Sequence, residues 1–199
     1  MTLLKFLLAA GLALPLFAAA QPATLTPVGE RITDAAIQQD HVAFERLQSR
    51  IERLNQGGRR LADYHLAKAQ CWLDAGFHET TRNDRSAFAQ EALTESDKLV
   101  AAMESAATPL PLDTPWVNDA AKLRPDLWER IDALKRAAGF GCAAQVTACA
   151  EVELVHAGNE FKQQGWRHAR PYVQIAEDLL AQGTLQAAQC ASPPPRVVP

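Results

Sequence analysis

The residues best suited to chemistry in this chain are a histidine and two glutamates near its carboxyl end. Glu153, His156 and Glu160 are spaced three and four residues apart, which places them on one ridge of a helix. Helical bundles that hold two iron or manganese ions use such a Glu-x-x-His unit twice. Only one copy is present here, and a carboxylate beside a histidine also raises the histidine pKa and joins helices without a metal. We therefore expect no cofactor and keep a metal-dependent enzyme as the alternative function.

A second group of residues surrounds the predicted turn that follows this helix. Trp166, Arg167, His168 and Arg170 combine an aromatic ring with cationic groups. Such a group can hold an anionic or peptide partner through stacking and charge-assisted hydrogen bonds. In the plainer interpretation the aromatic rings fill the turn and the arginines are only solvated. The four residues are the candidate binding site, and both interpretations stay open.

Other common kinds of functional site have no counterpart in the sequence. There is no G-x-S-x-G motif and no cysteine motif of a protease type. The Gly57-Gly58 pair follows no predicted strand, so it indicates a helix end rather than a phosphate-binding loop. A formal charge of -3 and a pI near 6.0 provide no basic face for nucleic acid. We expect a protein that is not an enzyme and does not bind nucleic acid.

The elements that must position these residues are helices. Residues 59–80 and 142–164 each carry apolar side chains on two sides, which predicts two central, buried helices. The first of them contains His65, His78 and Glu79, which could supply further metal ligands although no spacing requires it. No segment has the alternating pattern of a strand. The sequence predicts an all-α protein, an irregular antiparallel bundle of about six helices.

The remaining helices follow from capping residues, prolines and glycines. Three prolines in residues 108–115 predict an extended connector. The other predicted elements are a short helix over 30–39, a helix from Asp40 to about Leu54, one from Asn83 or Asp84 to about Ala106, one from Pro125 to about Leu134, and one from about Tyr172 to Gly183.

The first 20 residues have the layout of a secretory signal peptide. Lys5 precedes an apolar run of residues 6–17, and the small residues Ala18 and Ala20 stand before Gln21. The run is shorter than the roughly 20 residues that span a membrane. We predict cleavage before Gln21, with an uncleaved anchor as the alternative. Export places the protein in the periplasm or cell envelope, with residues 21–190 as one helical domain and the proline-rich residues 191–199 as a disordered tail.

All four cysteines lie beyond the predicted signal peptide, and their spacing lacks the C-x-x-C pairs of zinc sites. If the last two helices form a hairpin, the chain after its second arm continues toward Cys142, so Cys190 reaches Cys142 more easily than Cys149. Cys71 and Cys149 then remain, each on an apolar stripe of a central helix. We predict bridges Cys142–Cys190 and Cys71–Cys149, with a buried free thiol at Cys71 as the alternative.

Small residues in the last predicted hairpin are similar in spacing to a tetratricopeptide repeat. Ala157-Gly158-Asn159, Gly165-Trp166, Ala169 and Ala176 carry this resemblance, with one residue missing before Ala169. A self-supporting array of such hairpins needs about three units, and the hairpin within residues 67–92 matches the pattern poorly. An irregular bundle that is tetratricopeptide-like in part is favoured over a true repeat array.

A more specific resemblance covers residues 61–180. The segments that carry it are AKAQCWLD (67–74), NDR (83–85), LRPDLW (123–128), GFGCA (139–143), ELVHAGNE (153–160) and GWRHA (165–169). With these segments the chain resembles the helical amino-terminal region that precedes the peptidoglycan-binding domain in some OmpA-family envelope proteins of Gram-negative bacteria. This likeness implies an exported helical protein that acts as a binding or structural module, with an envelope protein or a cell-wall component as its partner. Only nine residues follow Cys190, where such a protein would continue with the α/β domain, so peptidoglycan binding is not implied.

Overall fold

The computed structural model describes residues 22–191 and is all-α, as predicted. No strand occurs in this range, and the predicted signal peptide and residues 192–199 lie outside it. None of the helices within it is long and apolar enough to cross a membrane. The six helices are α1 (Asp34–Gln56), α2 (Tyr64–Thr81), α3 (Phe88–Glu104), α4 (Pro125–Arg136), α5 (Phe140–Gln164) and α6 (Trp166–Ala191), with a 3-10 turn at Val117–Asp119 before α4.

The first helix is continuous, so the prediction of two separate segments that meet at Asp40 is wrong. Thr33 is the residue that caps α1, because its hydroxyl accepts a hydrogen bond from the amide of Ala36. Asp40 is buried inside the helix and binds the guanidinium of Arg31 at 2.6 Å. Its other oxygen accepts a hydrogen bond from the amide of Thr26. The segment before α1 therefore supplies the ion-pair and hydrogen-bond partners of the Asp40 carboxylate, and Asp40 does not cap a helix.

The starts of α2 and α3 lie several residues after the predicted ones. Asp63 caps α2 by accepting hydrogen bonds from the amides of His65 and Leu66. Asp84 instead stabilises a turn with Ser86, whose hydroxyl in turn accepts from the amide of Phe88. Side chains that can cap a helix can also close local turns, which is why the predicted start of α3 at Asn83 or Asp84 was too early.

The last two helices form the predicted hairpin, but α6 is much longer than predicted. Gly165, with a φ of 78°, ends α5 at the turn. The helix that follows begins at Trp166, contains Pro171 in its second turn, and continues past Gly183 to include Cys190 and Ala191. Gly183 does not end the helix because it packs against α5: a Cβ at this position would lie 3.1 Å from Val146. Ala191 is thus helical rather than part of a disordered tail.

Two central helices hold the molecule together. One apolar cluster joins α4, α5 and α6, and another joins α1, α2 and α3. A third cluster, which contains the fully buried Trp72, connects α2 and α3 to α5. Both helices predicted to be apolar on two sides, α2 and α5, therefore lie between the two halves, where each side contacts other elements.

Both disulfides join the cysteine pairs that were predicted from the sequence. Cys71 of α2 is bonded to Cys149 of α5, with their Cα atoms 5.4 Å apart. Cys142 near the start of α5 is bonded to Cys190 near the end of α6, with a Cα separation of 6.3 Å. Cys71 is not a free thiol. The first bridge ties the two central helices together, and the second closes the open end of the hairpin.

The proline-rich connector is extended and lies along α2. Lys68 donates hydrogen bonds to the carbonyl of Asp113 and to the hydroxyl of Thr114. The hydroxyl oxygen of Tyr64 lies 3.0 Å from the carbonyl oxygen of Leu112. A fully buried lysine would be costly without such partners. The connector thus covers one side of α2 and satisfies polar groups that the helix buries.

Candidate functional site

Charged and polar side chains gather where the last turns of α2 and α5 meet the first turns of α6. Three helices contribute, and three of the side chains, those of Glu79, His156 and Glu160, are buried. We call this group the histidine–glutamate cluster. Its members are His78, Glu79 and Arg82 from α2, Glu153, His156 and Glu160 from α5, and His168 and Tyr172 from α6.

The disulfide between α2 and α5 sets the register of this cluster. The bonded residues Cys71 and Cys149 are 78 positions apart, and His78 and His156 have the same separation. Each histidine follows its cysteine by seven residues, which is nearly two full turns, so it lies on the same side of its helix. The two imidazole rings are accordingly 5.6 Å apart between centroids. Thus α2 and α5 run parallel here and bring their histidines to one level.

His156 is the buried centre of the cluster. Its Nε2 lies 2.8 Å from Oε1 of Glu79, and its Nδ1 lies 3.7 Å from Oε2 of Glu153. The ring of Phe88 stacks on one side at 5.3 Å, and the ring of Tyr172 lies 3.9 Å away. Burial on its own lowers the imidazole pKa, but the interactions with the two carboxylates outweigh it and raise the pKa of His156.

His78 stands at the solvent side of the same group. Its Nε2 is 2.9 Å from the hydroxyl of Tyr172 and 3.7 Å from Oε1 of Glu79. Partial burial, followed by repulsion from His156, lowers the pKa of His78. One ligand atom from each of His78, Glu79 and His156 can be chosen so that all three atoms lie within 4.8 Å of one another. Two imidazole nitrogens and one carboxylate oxygen therefore converge on one point.

Glu160 and Arg82 form the other side of the cluster. The carboxylate of Glu160 is buried, and neither of its oxygens has a hydrogen-bond partner in the described part of the chain. The guanidinium of Arg82 lies 3.4 Å from Glu160 and also 3.4 Å from Glu79, and it donates a hydrogen bond to the hydroxyl of Tyr172. His168 is 3.8 Å from Glu160. Arg82 is thus the cation closest to both buried carboxylates.

The residues of the predicted metal site do not all face the same point in the structure. The ridge of Glu153, His156 and Glu160 does exist, but the ligand atoms that converge are those of His78, Glu79 and His156. Glu153 faces the other nitrogen of His156, and Glu160 faces Arg82.

The four candidate binding residues do not form one group either. His168 joins the cluster through Glu160, whereas the side chains of Trp166, Arg167 and Arg170 are exposed. Within residues 22–191, neither of these two arginines forms an ion pair. This leaves an exposed surface that carries one aromatic ring and two free cations beside the hairpin turn.

Sequence analysis missed the parts that Arg82 and Tyr172 play, and it left His78 and Glu79 as optional ligands. The signal that would have found the pairing is the common separation of 78 residues in Cys71–Cys149 and His78–His156. Arg82 stands three residues after Glu79, but its contacts with Glu160 of α5 and Tyr172 of α6 depend on how the three helices meet.

Comparison of the chain with protein-family models, with curated proteins and with solved structures gave no match.

Proposed function

We propose that this protein is exported and works in the periplasm or cell envelope as a helical binding or structural module. The observation that carries this proposal is the use of all four cysteines in two disulfides. Stable disulfides are typical of oxidising compartments and rare in the cytosol. The signal-like residues 1–20 and the resemblance to the helical region of OmpA-family envelope proteins support the same location.

Export is tested by expressing the full chain in a Gram-negative host. The expected product is found in the periplasmic fraction, begins at Gln21 by mass spectrometry, and carries no free thiol. As a matched control, Ala18→Leu with Ala20→Leu should leave the precursor uncleaved, since signal peptidase accepts only small residues there. A wild-type chain that keeps Met1 and stays in the membrane fraction would contradict the proposal.

The surface proposed for partner binding is formed by Trp166, Arg167 and Arg170. An exposed aromatic ring beside two unpaired guanidinium groups suits an anionic or peptide partner, because arginine binds carboxylates and phosphates in a bidentate manner. In this interpretation the partner is an envelope protein or a cell-wall component. The helical scaffold would hold these side chains in place without taking part in a reaction.

This surface is tested by capture from envelope extracts with the mature protein. Arg167→Ala with Arg170→Ala should lose a partner that the wild type retains. Arg46→Ala with Arg53→Ala removes two exposed arginines from α1 instead and should retain it, which separates a local effect from a change of net charge. If the first double variant keeps every partner, the binding site lies elsewhere.

A further inference from the structure

The histidine–glutamate cluster has the composition of a cation site. We propose that His78, Glu79 and His156 bind one divalent transition-metal ion, with Zn²⁺ as the representative ion. This inference is independent of where the protein is located and of any partner. It adds a metal centre at the junction of α2, α5 and α6.

The donor atoms are of the right kind and are held in place before a metal arrives. Nε2 of His156 and Oε1 of Glu79 are 2.8 Å apart, and Nε2 of His78 is 3.7 Å from the same oxygen. Ligands about 2.0–2.1 Å from a tetrahedral zinc ion are separated by distances of this order. The Cys71–Cys149 bridge fixes the register of the two helices that provide the donors. Metal binding therefore requires small side-chain movements rather than a change of fold.

The partner of the second nitrogen of His156 supports the same assignment. A histidine that binds a metal through one nitrogen commonly directs its other N–H to a carboxylate, which fixes the ring and makes it a better ligand. Glu153 lies on the Nδ1 side of His156, at 3.7 Å. Nε2 is then the nitrogen that faces Glu79 and His78. The arrangement of Glu153, His156 and the converging donors thus matches that of a carboxylate–histidine–metal unit.

The charge of the cluster also favours a cation. It contains three carboxylates, those of Glu79, Glu153 and Glu160, but only one guanidinium, that of Arg82. The three carboxylates outnumber the guanidinium by two negative charges, before any proton on the histidines is counted. Glu160 is 1% exposed, and within residues 22–191 neither of its oxygens has a hydrogen-bond partner. Buried charge of this kind is costly unless a proton or a bound cation compensates for it.

The ligand types select the class of ion. Two imidazoles and one carboxylate suit zinc and other first-row transition metals, whereas Ca²⁺ and Mg²⁺ prefer sites made of oxygen ligands. The side chain of His78 is 46% exposed, so an ion can enter from solvent. Three protein ligands leave a fourth position for water or for the hydroxyl of Tyr172, which is 2.9 Å from Nε2 of His78. Arg82, whose side chain is 34% exposed, can turn toward solvent as the ion binds.

The test is a titration of the mature, tag-free protein after removal of metal with a chelator. Calorimetry with Zn²⁺ should show one equivalent bound, and Co²⁺ should give the visible absorption bands of a four-coordinate site. The same Zn²⁺ addition should raise the Tm, because an ion that binds only the folded state stabilises it.

The decisive variant is His78→Ala, since His78 is at the surface and its loss should not prevent folding. Zn²⁺ affinity should fall at least about tenfold. His41→Ala is the matched control, because His41 is a partly exposed histidine of α1 that lies outside the histidine–glutamate cluster; it should bind Zn²⁺ within about threefold of wild type. Glu79→Gln should weaken Zn²⁺ binding as His78→Ala does. Absence of stoichiometric binding in the wild type, or equal affinity in His78→Ala and His41→Ala, would overturn the proposal.

Discussion

At the scale of single residues, the molecule places several charged groups inside its helical core. Lys68 and Glu151 are both fully buried, and Nζ of Lys68 is 3.0 Å from Oε2 of Glu151. Tyr64 donates a hydrogen bond to the same carboxylate, and Lys135 forms a second ion pair with it. One glutamate thus forms ion pairs with two lysines, and these pairs join α2, α4 and α5. Buried pairs of this kind make the loss of one partner costly even where the pair itself adds little stability.

Glu151→Gln should therefore destabilise the protein strongly, because it leaves the ammonium of Lys68 buried without a negative partner. The expected loss is about 3 kcal/mol in the free energy of unfolding, measured by urea denaturation at pH 7. The double variant Lys68→Met with Glu151→Leu should recover most of this loss, since it removes both charges. If Glu151→Gln unfolds at the same urea concentration as the wild type, this ion pair does not stabilise the fold.

The same group predicts a loss of stability at alkaline pH. Burial, followed by the charge of Glu151, raises the pKa of Tyr64 far above its usual range. A pKa raised in the folded state contributes stability that is present below the unfolded pKa, near 10, and is lost above it. The slope from one such group approaches about 1.4 kcal/mol per pH unit above about pH 10.

Unfolding curves of wild type and Tyr64→Phe between pH 8 and 11.5 test this expectation. The wild type should lose stability more steeply than the variant above pH 10. Burial lowers the pKa of Lys68, which has the opposite sign: between the folded and unfolded pKa of the lysine, stability rises with pH. Lys68 is present in both proteins, so its own titration contributes to both curves. Parallel curves for the two proteins would show that the phenol titrates normally.

At the scale of elements, the α5–α6 hairpin depends on close contact near its open end. Gly139 precedes α5, and a Cβ at this position would lie 2.0 Å from the carbonyl oxygen of Ala187 in α6. Such a distance forces the backbone of one element to move. Gly141, two residues later in α5, has nothing within 4 Å of the same hypothetical atom. Substitution by alanine should therefore change the stability in opposite directions at Gly139 and at Gly141.

Gly139→Ala should lower stability by about 1–3 kcal/mol, because the added methyl group overpacks a rigid contact. Gly141→Ala should raise it by about 0.5–1 kcal/mol, since alanine loses less backbone entropy in a helix. Both values are measured by urea denaturation of the oxidised protein. Equal effects of the two substitutions would mean that α6 does not approach Gly139 closely.

The helices were predictable where apolar periodicity is strong and less so at their ends. The apolar stripes on two sides of α2 and α5 predicted that both helices are central, because a helix that is apolar on two sides must have neighbours on both. The ends depended on contacts that are distant in sequence. Asp40 resembles a cap but binds Arg31, and Gly183 resembles a stop but fits against Val146. Of the candidate site, the ridge on α5 was predictable, whereas the contacts of Arg82 with Glu160 and of Tyr172 with His156 depend on how α2, α5 and α6 meet.

At the scale of the whole molecule, two groups of three helices are joined mainly through α2 and α5. The apolar cluster around Trp72 and the Cys71–Cys149 bridge both cross this junction, and the histidine–glutamate cluster lies at one end of it. The Cys142–Cys190 bridge, in contrast, lies within the second group. The two disulfides therefore restrain different parts of the fold.

Removing either disulfide by paired Cys→Ser substitution should therefore cost about the same free energy of unfolding but affect different regions. The closed loops span 48 and 78 residues, and the chain-entropy relation gives about 4 kcal/mol for each, with a difference of only about 0.4 kcal/mol. Loss of Cys71–Cys149 should increase amide hydrogen exchange along the junction of α2 and α5, whereas loss of Cys142–Cys190 should increase it at the start of α5 and the end of α6. Urea denaturation and hydrogen-exchange mass spectrometry measure the two effects on the same samples. An identical exchange pattern in both variants would show that the molecule opens as one unit and that the junction has no separate stability.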